Sequence, residues 1–308
     1  MMHKALIVAL MLPVIAIGCT RSDSASIAPG RHVDTSSSPD ALVKNAVETR
    51  TSLSSLSGKG VMRIVDQPNN FGLTVNADVV ADESDRLRIK ADKLAGAVQA
   101  FDVVMLQDDI GFYIPTQKTL YHGKVDDLQY FSFRFDPDEV LRQMLRPETS
   151  LLLKRWRHSD AGPEDPRNAI MLEEDAPSGR PYMRVAIDKR SGMIAVIEQL
   201  DGRGEPILVK RYDDYRDLSR SRRAARVEED GSVFPYVIAF NWPRDRRIME
   251  MRFKQVEGNA VVLDEDFDIA TSADTQYLPL VDARMDASMI DEPMAQAPEK
   301  STKNALGS

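Results

Sequence analysis

The chain has 308 residues, 43% apolar and 29% charged, with 40 basic against 48 acidic side chains. That apolar fraction excludes a disordered polymer, 16 Gly with 17 Pro excludes a fibrous composition, and a net charge of −8 argues against a nucleic-acid partner. A single cysteine, Cys19, excludes an intramolecular disulfide and, with only four scattered histidines, a Cys-based metal site.

From the N-terminus, Lys4 precedes a 13-residue uncharged run, Ala5 to Ile17. A spanning helix needs about 20 apolar residues, so this run fits the apolar core of a secretory signal instead. It ends in Ala16-Ile17-Gly18 directly before Cys19, with Thr20-Arg21-Ser22 beyond. This resembles the lipobox of bacterial lipoproteins, although Ala16 stands where Leu is usual. The resemblance implies removal of residues 1–18 and acylation of Cys19, by palmitate or a similar chain, as the membrane anchor. Thr20 in place of Asp implies the outer membrane, with the domain facing the periplasm. The competing readings are an ordinary signal peptide followed by a cysteine without a role, and an uncleaved anchor.

Residues 19–38 are rich in Ser, Asp, Pro and Gly and read as a flexible tether. Residues 283–308 lack alternation and read as a disordered tail. Residues 39–282 between them suit one mainly β domain. Its predicted elements begin with a helix: Ser38 as N-cap, Pro39 in the first turn, and Leu42, Val43, Ala46, Val47, Leu53 and Leu56 at helical spacing up to Gly58 and Gly60. Period-2 segments follow. Phe71, Leu73, Val75, Ala77 and Val79 share one strand face, and Leu87, Ile89 and Ala91 alternate with Arg86, Arg88 and Lys90. Strands continue through 100–107, 111–114 and 120–124. A second helix is expected over 136–146, with Asp136 as N-cap, Pro137 after it and Pro147 as its stop. Further strands are expected over 150–156, 169–173, 182–188, 193–200, 207–212, 233–242, 248–256 and 261–267. About eleven antiparallel strands with two helices predict an α+β domain that is mainly β. The expected form is an unclosed half-barrel whose helices cover the concave face, and a two-sheet sandwich is the alternative.

This order of elements resembles the LolA/LolB-type lipoprotein carriers over roughly residues 39–270. The residues that carry the likeness are Leu53 to Gly60, Asp85 to Gly96, Asp108 to Pro115 with Leu120 to Gly123, and Tyr182 to Tyr215 with its closing Tyr212-Asp213-Asp214-Tyr215. The resemblance implies an acyl chain or lipidated N-terminus bound inside the half-barrel, and places Leu94 where such proteins carry a protruding loop leucine. An ordinary turn leucine is the other reading of Leu94.

Candidates for the lipid cavity are Phe71, Leu73, Val75, Leu87, Ile89, Met105, Met193, Met249, Met251 and Phe253, because methionine adapts to variable acyl chains. A filled core is the competing explanation for the same faces. An enzyme reading finds little: His3 lies in the signal, His32 in the tether, His122 and His158 stand alone, and neither G-x-S-x-G nor a glycine-rich phosphate loop occurs. The acid clusters at 173–175, 228–230 and 264–268 lack an EF-hand pattern and read as solvated turns. The basic run Arg216 to Arg226 reads either as a site for anionic head groups or as a face paired with Glu228 and Glu229. The sequence therefore predicts a non-enzymatic envelope lipoprotein, without metal or cofactor, that carries or accepts lipid or lipidated protein. The alternative is a scaffolding lipoprotein with a filled core that binds a protein partner through a sheet edge.

Overall fold

The computed structural model describes residues 36–50, 52–68, 70–93, 98–130, 140, 144–146, 148–159, 168–177, 179–218 and 233–282. It opens with helix α1, Pro39–Thr49. The Ser38 hydroxyl accepts the Ala41 N–H at 3.3 Å, and Pro39 pre-sets the first turn. Leu42, Val43, Ala46 and Val47 form the buried stripe, and Arg50 ends the helix by turning extended at φ −78°, ψ 119°.

Two antiparallel meanders follow. The first comprises β1 (Ser55–Asp66), β2 (Phe71–Asp82), β3 (Arg86–Lys93), β4 (Val98–Leu106), β5 (Asp109–Ile114) and β6 (Thr119–Lys124). The second comprises β7 (Trp156–His158), β8 (Ala169–Glu174), β9 (Met183–Asp188), β10 (Ile194–Leu200), β11 (Pro206–Asp217), β12 (Val233–Trp242) and β13 (Arg247–Gly258). A last strand, β14 (Gln276–Pro279), lies parallel to β6. All fourteen form one sheet in the order β14-β6-β5-β4-β3-β2-β1-β13-β12-β11-β10-β9-β8-β7, whose end strands do not pair with each other. The sheet is therefore unclosed, and the two meanders meet in one central seam between β1 and β13.

One face of the sheet is apolar and is called inner here. Register sets Met62 beside Val75 and Met251, and Ile64 beside Leu73 and Met249, while Val79 faces Ile89 and Met105 faces Leu87. These side chains join α1 and Val140, Met144 and Leu145 in one core cluster. The outer face carries the opposite phase and is ion-paired. Arg88 meets Asp102 at 2.6 Å and Arg86 meets Asp82 at 2.5 Å, whereas the Arg247–Asp66 pair, at 3.0 Å, closes the end of the β1–β13 seam in the same phase as Ile64 and Met249.

After β13 the chain crosses the outer face as a strap. The Asn259 side-chain oxygen accepts from the Ser54 N–H and hydroxyl, each at 3.0 Å. Arg86 donates to Asp264 at 2.6 Å and lies 4.4 Å over the Phe267 ring, and Arg88 donates to the Asp266 carbonyl at 3.0 Å. Gly111 gives the strap room, since a Cβ there would stand 3.2 Å from Ile269 Cδ1. Lys118 pairs with Asp274, β14 then extends the β6 edge, and Leu280 is buried beyond it.

Several expectations are corrected. The first helix stops at Thr49, so Leu53 and Leu56 enter the core from a loop and from β1, a strand that Gly58 and Gly60 disguised. These glycines are required by close packing: a Cβ on Gly60 would lie 2.3 Å from the Arg252 carbonyl at the register shift between β1 and β13. Residues 149–153 form a 3-10 turn, leaving only the three-residue β7 of the strand expected there. Residues 261–267 form the strap and a 3-10 turn at Asp264–Phe267 in place of a strand. Among the described residues the sheet has fourteen strands, not about eleven, and β14 makes it not purely antiparallel. The helix expected over 136–146 lies largely outside the described residues; 140, 144 and 145 are helical and buried.

Candidate functional site

The residues around α1 build the site. Asp40, in the first helical turn, accepts the Trp156 backbone N–H at 2.8 Å and pairs with Arg155 at 3.3 Å. The Trp156 indole N–H donates to the Leu151 carbonyl at 3.0 Å, which curls the 3-10 turn Thr149–Leu153 back over the helix. Between the two runs a groove of about 530 Å³, lined by Asp40, Val43, Lys44, Leu151, Leu152, Leu153, Lys154, Arg155 and Trp156. Its floor is apolar and its rim charged. Leu151 and Trp156 are buried, whereas Leu153 stands 90% exposed at the mouth.

One turn further along α1 lies a small cavity of about 10 Å³, room for roughly one water. It is lined by Ala46, Val47, Arg50, Glu148, Ile194, Ile197, Tyr212 and Tyr215. Its polar groups are held at short range. Lys210, 1% exposed on the inner face opposite Phe240, donates to Glu148 Oε2 at 3.0 Å. Ser150 donates to the other Glu148 oxygen at 2.9 Å, and the Arg50 guanidinium lies 5.4 Å over the Tyr212 ring. The Tyr215 hydroxyl donates to the Ile194 carbonyl at 2.7 Å, and burial pushes that phenol well above its ordinary value. A lysine this far from water is tolerable only beside its carboxylate.

The cavity candidates from the sequence stand elsewhere. Phe71, Leu73, Val75, Leu87, Ile89, Met105, Met249, Met251 and Phe253 share the inner face; all are packed into the core, Leu73 at its margin, and they line neither the groove nor the cavity. Met193 is buried in the turn before β10 but lies outside that cluster; its carbonyl accepts the Asp188 N–H at 2.9 Å. Cys19 and Leu94 lie outside the described residues.

The charged clusters are engaged in pairs. Glu173 meets Arg157 and Glu174 meets Lys154, both at 2.8 Å, and Asp264 holds Arg86. Arg216 binds Asp214 at 2.5 Å and covers Tyr236 at 4.2 Å; residues 219–232, with the rest of the basic run, lie outside the described residues. Among the described residues, no group of His, Cys, Asp and Glu could hold a metal ion, and no helix is long and apolar enough to cross a membrane.

Sequence reasoning missed the Lys210–Glu148 pair and the α1 groove. The available signal was phase: in β11, Lys210 alternates with Leu208 and Tyr212 on a face that should be apolar. Glu148 gave no signal, since it lies in a connection between elements.

No protein-family profile and no curated protein matches the chain. Solved structures do. An outer membrane lipoprotein-sorting protein domain from Vibrio parahaemolyticus is 13% identical with a TM-score of 0.46, covering 75% of this chain and 96% of its own. A DUF1329 family protein from Desulfovibrio piger is 12% identical with a TM-score of 0.48, covering 75% and 98%. A LolA superfamily protein from Nitrosomonas europaea is 11% identical with a TM-score of 0.42, covering 76% and 98%. The likeness is one of fold. Identities this low carry no residue equivalences.

Proposed function

We propose that the chain is a lipid-anchored envelope lipoprotein that binds acyl chains, of lipid or of a lipidated protein, in the groove between α1 and the segment 151–156. The α1 groove carries this reading. Val43, Leu151, Leu152 and Trp156 line it together with Asp40, Lys44, Lys154 and Arg155, in a volume typical of small-ligand sites, about 300–1,000 Å³. Affinity for the chain would come from apolar area removed from water, about 25 cal/mol per Å². The methionines Met62, Met144, Met249 and Met251 belong to the same core cluster as the buried stripe of α1, and methionine repacks readily around a longer guest. The work is transfer of a ligand, with no bond made or broken. Cys19 at the end of the signal-like segment supplies the anchor, with the outer membrane as the favoured address.

A second reading has its own support. The inner face is packed, with Leu56, Val79, Leu87 and Ile197 at 0% exposure, which suits a scaffolding lipoprotein that holds no guest. Native mass spectrometry of the full chain carrying Cys19→Ser separates the two. The carrier reading expects co-purified lipid adducts that organic extraction removes and added lipid restores. A chain that never shows bound lipid is a scaffold.

A further inference from the structure

We propose that the turn Thr149–Leu153 is the face that the domain lays on its own membrane: Leu152 and Leu153 enter the phospholipid bilayer, and the α1 groove opens onto it. The inference rests on Cys19 being the anchor and adds where the anchored domain meets the lipid.

Three observations converge. First, the turn holds two leucines out in water. Leu153 is 90% exposed and Leu152 43% exposed, side by side in the wall of the groove. Val261 on the strap is as bare, at 89%, but Asp264, Glu265 and Asp266 follow it closely. Lys154 and Arg155 follow Leu153 instead, and such side chains lay their aliphatic stems along a lipid interface while the charged heads stay in water.

Second, the chain brings its anchor to this side. Nineteen positions separate Cys19 from the N-cap Ser38, and the first turns of α1 then place Asp40, Val43 and Lys44 in the groove wall. A coil of that length averages about 24 Å from end to end, whereas a compact domain of about 240 residues is about 45 Å across. The side that carries the start of α1 is thus kept near the bilayer. The strap crosses the opposite face of the sheet and is held away from it.

Third, the charges at the rim are already matched. Arg155 meets Asp40 at 3.3 Å, Lys154 meets Glu174 at 2.8 Å and Lys44 meets Glu48 at 3.8 Å. Removal of the leucines from water, not attraction to anionic lipid, therefore drives the contact. Burying one leucine shifts a bound-to-free ratio by about tenfold or more, enough to orient a domain that is already tethered. An acyl chain then passes between bilayer and groove without crossing water.

The test uses the mature chain, residues 19–308 with Cys19→Ser, held on phosphatidylcholine vesicles by an N-terminal hexahistidine and a nickel-chelating lipid. With the native cysteine replaced, Leu153→Cys or Val261→Cys carries the only thiol, labelled with the environment-sensitive fluorophore NBD. Both side chains are about nine-tenths exposed, so neither change disturbs the core. On vesicles the Leu153→Cys label should shift to the blue and be quenched by phospholipid brominated in its acyl chains, and the Val261→Cys label should do neither. Adding Leu152→Ser to Leu153→Cys should lower the inserted fraction several-fold. Exchanging part of the phosphatidylcholine for phosphatidylglycerol should leave the shift unchanged. Equal responses at the two positions, or a shift that needs the anionic lipid, overturn the docking surface. A Leu153→Cys label already blue before vesicles are added also overturns it, because a second copy then covers the leucines. Failure of the anchor is read separately, as a native chain that enters the aqueous phase of Triton X-114.

Discussion

Asp102 offers the sharpest test of how the outer face is held. Its carboxylate is 2% exposed and takes a two-point bond from Arg88, at 2.9 Å from Nε and 2.6 Å from Nη2. The third Arg88 nitrogen reaches past it to the Asp266 carbonyl of the strap at 3.0 Å. Asp102→Ala therefore strands a guanidinium between the sheet and the strap with one neutral acceptor. Breaking one side of a buried pair costs about 3–5 kcal/mol, and Arg88, 17% exposed, recovers some hydration, so a loss of about 3 kcal/mol is expected. For a domain of this size that lowers Tm by about 6–12 °C. Urea denaturation of the Cys19→Ser chain should show the midpoint falling with an unchanged slope. The double variant Arg88→Met with Asp102→Leu should regain most of the loss, because neither charge is then left alone. A loss below about 1 kcal/mol, or a double variant as unstable as Asp102→Ala, refutes this account of the pair.

Three other outcomes are expected. The Lys118 ammonium and the Ser272 hydroxyl hold the Asp274 carboxyl at about 2, below its ordinary 3.8, so their contact stabilises the strap above about pH 4 and fades as pH falls toward 2. Pepsin cleavage within 270–282 should rise over that window, and Asp274→Asn should raise it at pH 4 and flatten the profile; an identical profile in both chains rejects the assignment. Gly60→Ala, whose Cβ would meet the Arg252 carbonyl at 2.3 Å, should cost about 2 kcal/mol or more by urea denaturation, whereas Gly202→Ala, with nothing within 4 Å, should stay within about 0.5 kcal/mol. Cys19→Ser should move the chain from the detergent phase to the aqueous phase on Triton X-114 partitioning, and a variant still in the detergent phase sinks the lipid anchor.

The parts of the fold legible in the sequence were those with strict alternation. β3 and β13 set apolar residues against charged ones and β2 sets them against mainly polar ones, and each lies with its apolar phase inward. β1 escaped because Gly58 and Gly60 read as helix stops, although their role is to let β13 approach. β14 is four residues long, ends in Pro279 and is exposed throughout, so no local pattern announces it; only its register with β6 makes it a strand. The groove was illegible for a similar reason. Leu151, Leu152 and Leu153 are consecutive identical side chains, and tertiary contact through Trp156 and Asp40 decides that the first is buried and the last exposed. Lys210 differed, since the sequence itself sets it in one phase with Leu208 and Tyr212.

The seam between β1 and β13 dictates an order of assembly. β1 is synthesised almost first and its second neighbour almost last, so Met62 finds Val75 at once but waits for Met251 until nearly the whole domain has emerged. Until then each meander can pair only with itself, as two half-sheets with open edges in mid-molecule, the kind of slow, non-local closure that leaves strands exposed to wrong partners. The strap and β14 come later still, because their footing on Arg86, Arg88 and the β6 edge must already be in place. A break in synthesis before Arg247, where β13 begins, leaves β1 and β12 each without the neighbour they share.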